Sequence, residues 1–84
     1  MADYQDFEVK VTNSTTLLEE VSEKYYYVVG ASNENNGSAG SVEDDSGKLF
    51  GLSQGATINI PGQGIPCKQI KAATSDVWIF YYLR

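Results

Sequence analysis

The chain has 84 residues, with 11 acidic and six basic side chains, a net charge of −5, no histidine and one cysteine. This composition excludes an internal disulfide and the usual zinc ligand sets, and it argues against nucleic acid as a partner, because affinity for phosphate backbones comes from lysine and arginine. The length predicts a single domain spanning residues 1–84, and no repeat or linker divides it.

Two strands are predicted in the first part of the chain. Gln5 to Thr12 alternates apolar and polar side chains, which predicts a half-buried strand. Tyr25 to Ala31, YYYVVGA, is aromatic and β-branched, which predicts a strand with two apolar faces. Between them, Thr15 to Lys24 fits either one short helical turn or a turn and a strand.

The middle of the chain is polar. Asn33 to Gly47 has little apolar content and contains the turn pair Asn36-Gly37, so we predict one long outward-facing loop. Within it, Glu43, Asp44 and Asp45 resemble a calcium-binding cluster, but VEDDSGK lacks the alternating acids and final glutamate of an EF-hand loop. We interpret this stretch as a solvated acidic turn and expect no bound metal.

The second half offers short apolar segments separated by glycine and proline. They are the apolar patch KLFGL, a strand from Ala56 to Ile60, a turn-rich connection GQGIPC, and a predicted hairpin that pairs Cys67–Ala73 with Val77–Leu83 across Thr74 to Asp76. Together these elements predict an all-β fold, a small antiparallel β-sandwich or β-barrel, with at most one short helical turn.

The C-terminal run Val77 to Leu83 consists of seven consecutive apolar or aromatic residues. A membrane helix needs about 20 residues, so we expect no membrane span. As a strand, the run places Trp78, Phe80 and Tyr82 on one face; burying three such rings is worth on the order of 10 kcal/mol as an upper bound, against a folding stability of about 5 to 15 kcal/mol. Something must therefore cover that face.

We predict an interface rather than a catalytic site. A Ser-His-Asp or Cys-His arrangement is impossible without histidine. We interpret Cys67, beside Pro66, as a small buried hydrophobic residue. The glycines of GQGIPCK match no phosphate-binding loop, so no cofactor is expected. Aromatic residues on doubly apolar strands suit protein interfaces. The predicted interface residues are Tyr25, Tyr27, Trp78, Phe80 and Tyr82.

The last third of the chain, GATINIPGQGIPCKQIKAATSDVWIFYYL, resembles a pattern in small virion proteins of tailed bacteriophages. The shared features are an apolar strand with Ile58 and Ile60, a turn ending in Pro66-Cys67, an alternating Ile and Ala strand, a polar turn, and a final hydrophobic strand. The resemblance implies a β-sandwich or barrel that binds the capsid or tail and has no catalytic residues.

The sequence therefore predicts a non-enzymatic capsid decoration or cement protein. We expect it to be made in the host cytoplasm, because MADYQDFEVK lacks the basic and apolar parts of a secretory signal, and to lie on the capsid exterior. Its expected partners are other copies of itself, as a homo-trimer, and the major capsid protein or another virion protein. Two alternatives stay open: a receptor-binding or adhesive module using the polar loop, and an acidic inhibitor of a host nuclease.

Overall fold

The computed structural model describes residues 7–84, which form β-strands and no helix. The strands are β1 (Lys10–Thr12), β2 (Tyr26–Asn33), β3 (Gly40–Asp44), β4 (Gly47–Leu52), β5 (Thr57–Asn59), β6 (Ile65–Cys67), β7 (Ile70–Ala72) and β8 (Val77–Leu83). The prediction of an all-β antiparallel fold is confirmed. The helical turn considered for residues 15–24 is absent, since this segment is irregular and ends in a tight turn in which Glu23 has a φ of 63°.

The strands form two antiparallel sheets. In the five-stranded sheet, β8 lies between β1 and β2, and the far edge of β2 is shared by β5 and β6. β6 pairs with Tyr26 to Val28, and β5 pairs with Gly30 to Ser32, on either side of a register shift near Val29. The three-stranded sheet has the order β4-β3-β7.

The core lies between the two sheets, which pack face to face in a β-sandwich-like arrangement. The side chains that are fully buried there are Val28, Ala31, Val77 and Ile79 from the five-stranded sheet, and Val42, Ile70 and Ala72 from the three-stranded sheet. Asn33 is also buried, and its side-chain amide donates to the carbonyls of Ser38 and Ser53 while its oxygen accepts from the Asn35 amide. Both donors and the oxygen of this buried amide are therefore satisfied at a loop end.

The prediction of one long loop from Asn33 to Gly47 is wrong. The loop comprises only residues 34–39, and Gly40–Asp44 forms β3, the central strand of its sheet. Because β3 pairs with β4 on one side and β7 on the other, its polar composition does not prevent it from being a strand. Val42 alone supplies its large apolar contact with the core.

The predicted hairpin between Cys67–Ala73 and Val77–Leu83 is also wrong. β7 pairs with β3, whereas β8 pairs with β1 and β2, so the chain crosses from one sheet to the other at residues 73–76. Part of the predicted turn-rich connection is itself a strand, because Ile65–Cys67 pairs with β2 as β6. Apolar alternation indicates that a segment is a strand but does not specify its partner.

The other strand predictions agree with the structure in position. The segment predicted as Tyr25 to Ala31 is β2, and the strand predicted for Ala56 to Ile60 contains β5. The patch KLFGL lies in β4. The N-terminal strand is shorter than predicted and begins at Lys10; Gln5 and Asp6 lie outside the described residues.

Candidate interaction surface

The five-stranded sheet has a second apolar face, which points away from the three-stranded sheet and which we call the outer face. Strand alternation puts it there: Tyr26 and Val28 face the core, so Tyr25 and Tyr27 face outward. On β8, Val77 and Ile79 are fully buried in the core, and Trp78, Phe80 and Tyr82 alternate with them. All five residues predicted for the interface therefore lie on the outer face.

A stack of three rings crosses the outer face at one end. Tyr27 and Tyr82 are register partners, and their rings stack with centroids 5.2 Å apart and an interplanar angle of 12°. Phe7 stacks on Tyr82 at the same centroid distance, with an angle of 21°. Tyr25 extends the stack by an edge contact with Tyr27 at 6.4 Å. The stack holds these rings in fixed positions at the surface.

Tyr82 is the anchor of this stack rather than part of the exposed surface. Its side chain has no solvent exposure, and its hydroxyl donates a 2.7 Å hydrogen bond to the carbonyl of Gln63. The turn that contains Gln63 lies beside β2, where Gly64 approaches Val28 and Val29 closely. Tyr82 thus fixes Tyr27 and Phe7 in place but does not itself reach a partner.

The exposed members of the outer face are large apolar side chains. Tyr25 is 41% exposed and Trp78 36% exposed, while Phe80 is half-buried above Gly30, which has no side chain to cover the ring. Such side chains are unusual on the solvent side of an antiparallel sheet, where polar residues normally alternate with the core residues. Exposed apolar patches are typical of interaction sites, which makes the outer face a candidate.

Three further residues of the outer face were not predicted as interface residues. Phe7, Val9 and Val11 are 37%, 45% and 51% exposed, and Val11 is the register partner of Phe80. The sequence analysis identified them as the apolar side of a half-buried strand. The sequence does not show which way that side points. Val11, opposite Phe80, and Phe7, stacked on Tyr82, lie on the outer face and widen the apolar patch instead of entering the core.

The two ends of the outer face differ in charge. At the end where β8 finishes, the Arg84 guanidinium lies 5.9 Å from the centre of the Phe7 ring and donates to Gln63 Oε1 at 2.7 Å. At the opposite end, beside Trp78, the Ser32 hydroxyl donates to Glu34 Oε1 at 3.1 Å, and Asn35 Nδ2 donates to Asp76 Oδ2 at 3.2 Å. Arg84 therefore lies at one end, and the carboxylates of Glu34 and Asp76 lie at the other.

The loop at residues 34–39 is closed by its own hydrogen bonds. Asn35 Oδ1 accepts from the backbone amides of Gly37, at 2.7 Å, and Ser38, at 3.0 Å, which forms a tight polar turn. The Asn36-Gly37 pair predicted as a turn lies within it. The segment offers far less free polar chain than the loop predicted from Asn33 to Gly47.

Cys67 is buried, and its environment suppresses ionisation. Burial raises the pKa of the Cys67 thiol from 9.0 to about 11, with smaller contributions from the nearby carboxylates of Asp44 and Asp45. The thiol lies 3.7 Å from the carbonyl of Ile65, to which it donates a weak hydrogen bond. A thiol held in its neutral form is a poor nucleophile, as expected for the buried hydrophobe that the sequence predicts.

The described residues contain few other features that suggest chemistry. Residues 7–84 enclose no pocket, and no group of three acidic, cysteine or histidine side chains among them is arranged to hold a metal ion. The same part of the chain has no helix able to span a membrane. Comparison of the chain with protein-family models, with curated proteins and with solved structures gives no match. The outer face is thus the candidate functional site.

Proposed function

We propose that this chain is a non-enzymatic structural protein that acts by burying its outer face against another protein. The observation that supports the proposal is the solvent side of the five-stranded sheet, which carries Trp78, Phe80 and Tyr25 where an isolated sheet would carry polar residues. Aromatic residues are enriched at protein interfaces because they bury a large area with few rotatable bonds.

The fixed positions of the rings on the outer face also support binding to a partner. Association costs side-chain entropy, about 0.5 to 1.5 kcal/mol for each flexible side chain that becomes fixed. The rings of Tyr27 and Phe7 are already fixed by stacking on the buried Tyr82. A partner that binds this face therefore meets preorganised rings, and little of the binding energy is lost in ordering them.

We propose further that the protein belongs to the virion of a tailed bacteriophage, where it lies on the outside of the capsid as a decoration protein. Support comes from the resemblance of Gly55 to Leu83 to small virion proteins and from the net charge of −5, which disfavours contact with packaged DNA. On the particle, the outer face would contact a sister copy or the capsid shell, and a closed oligomer would let copies cover one another.

Co-sedimentation tests the proposal directly. Purified protein is mixed with capsid particles that lack it, and we expect it to sediment with them. Val11→Lys adds a charge to an exposed position of the outer face, and Ser46→Lys adds the same charge to the exposed β3–β4 turn of the other sheet.

The two variants separate the outer face from the rest of the surface. We expect Val11→Lys to reduce the bound fraction and Ser46→Lys to leave it unchanged. Wild-type protein that stays in the supernatant would refute the capsid role. If both variants sedimented with capsids to the same extent, the outer face would not be the surface that binds the capsid.

A further inference from the structure

We infer that the outer face is covered by the outer face of a second copy of this chain, packed antiparallel about a two-fold axis. The inference rests on the proposed function, because it names the partner for the surface that the function uses. Two independent observations support it: the size of the face and the distribution of charge along it.

The size of the outer face suits one sheet packed against another. At about 3.3 Å per residue, the seven residues of β8 extend about 23 Å, and four strand positions at about 4.8 Å give a width of about 19 Å. The two lengths give a flat footprint of about 440 Å², to which the protruding side chains add, against the roughly 600 to 1,000 Å² that each partner of a standard interface buries. A second copy brings a sheet of the same dimensions, and two sheets stack about 10 Å apart.

The charge distribution explains how an acidic chain can bind itself. A net charge of −5 opposes self-association unless acidic groups stay out of the contact. On the outer face, carboxylates occur at one end, where Glu34 and Asp76 lie near Trp78, and Arg84 occurs at the other end. Antiparallel packing puts the Arg84 end of each copy over the Glu34 end of its partner, and parallel packing would put like charges together.

This arrangement fixes where individual residues lie. Phe80 is the central residue of β8, so it lies close to the axis and faces Phe80 of the second copy. Trp78 lies over the rings of Tyr27 and Phe7 of the second copy, which stack on the buried Tyr82. Trp78 is the only tryptophan in the chain, and it is 36% exposed in a single copy, so its fluorescence reports on this contact alone.

Dilution of the isolated protein tests the inference without any capsid. We expect a solution mass of twice the 9.2 kDa chain at high concentration. On dilution, Trp78 emission should move to longer wavelength as the mass halves, because the indole becomes more exposed. The concentration at which half of the protein is dimeric should rise by about 10-fold or more in Val11→Lys. It should stay the same in Ser46→Lys.

A charge exchange tests the antiparallel orientation. Glu34→Lys and Arg84→Glu should each weaken association by about 3- to 10-fold, and the double variant should regain most of the loss, since exposed ion pairs contribute about 0.2 to 1 kcal/mol each. Within one chain the two positions lie at opposite ends of β8, beyond the ~8 Å screening length of physiological salt, so recovery must come from the partner copy.

The outcomes distinguish the inference from the proposed function. A mass of one chain at all concentrations, a mass of three chains, or no recovery in the double variant would overturn the two-fold pairing. Any of these results is compatible with protein that still sediments with capsids. Conversely, a dimer that shows every expected response but does not sediment with capsids would keep the pairing and remove the capsid role.

Discussion

The solvent sides of the two sheets contrast sharply. The three-stranded sheet turns polar side chains outward, and Lys71 and Glu43, which are register partners, form an ion pair there at 3.4 Å. The five-stranded sheet turns Trp78, Phe80 and Tyr25 outward instead. Because both sheets share one core, packing against that core does not require an apolar outer face. The difference supports the proposal that the outer face is adapted to a partner, whereas the core side serves folding.

The largest expected effect compares two neighbours on β8 that face opposite ways. Ile79 is fully buried in the core, so Ile79→Ala should lower the free energy of unfolding by about 3 kcal/mol through lost burial and a cavity. Phe80→Ala, on the half-buried outer face, should cost less than half as much in the monomer. Urea unfolding at low protein concentration measures both, and equal losses would contradict the division between the two sides.

Gly64 provides the next largest effect, because it lies in the turn that covers part of the outer face. Its φ is +93°, and a Cβ atom there would lie 2.6 Å from the carbonyl oxygen of Val28. Gly64→Ala should therefore destabilise the fold by about 2 to 3 kcal/mol. Gly62 is a matched control with a φ of +74° and no atom within 4 Å of a Cβ, so Gly62→Ala should cost about 1 kcal/mol in thermal or urea unfolding.

Alkaline pH tests the core side through Cys67. The folded-state pKa of this thiol is raised to about 11, so the unfolded chain loses its proton first as pH rises. The stability contributed by the neutral thiol is complete below pH 9 and is lost between pH 9 and 11. Urea unfolding should show this decline, and Cys67→Ala should flatten it; an equal decline in the variant would assign the effect to other groups, such as Tyr26, whose pKa burial also raises.

The sequence predicts the fold class because strand alternation is a local property. The faces of β2 and β8 follow directly from alternation and were correctly predicted as doubly apolar. Strand pairing is not local, and the apolar pattern of Ile70–Ala72 fits a partner in either sheet. β3 was missed because a central strand can be polar when both neighbours satisfy its backbone, and only Val42 marks it as part of the core.

The candidate site was predicted in part for a similar reason. Tyr27, Trp78 and Phe80 belong to strands whose two faces are both apolar, and Tyr25 directly precedes one of them, so one set of rings had to face away from the core. Phe7, Val9 and Val11 were missed because an alternating edge strand gives no indication of which side meets the core. The burial of Tyr82 depends on the turn at Gln63, which is distant in sequence and carries no local signal.

Tyr82→Phe should have a smaller effect, because it removes the hydrogen bond from the hydroxyl to Gln63 and leaves the ring stack in place. The hydroxyl donates to the Gln63 carbonyl at 2.7 Å, and such a bond is worth about 1 kcal/mol. Tyr25→Phe, at a 41% exposed position, is the control and should change stability by less than half of that. Thermal unfolding compares the two, and a larger loss for Tyr25→Phe would show that Tyr82 is not the anchor of the stack.

The smallest effect is expected on the polar side of the three-stranded sheet. Lys71 and Glu43 are both partly exposed, with side chains 34% and 28% accessible, and ion pairs of this kind contribute about 0.2 to 1 kcal/mol. Lys71→Met should therefore lower stability by less than 1 kcal/mol in urea unfolding, and the difference from wild type should shrink in concentrated salt because the pair is screened. The same variant should leave the concentration dependence of Trp78 fluorescence unchanged. If Lys71→Met did change this concentration dependence, the three-stranded sheet would also take part in association. The contrast between the two solvent sides would then no longer support a special role for the outer face.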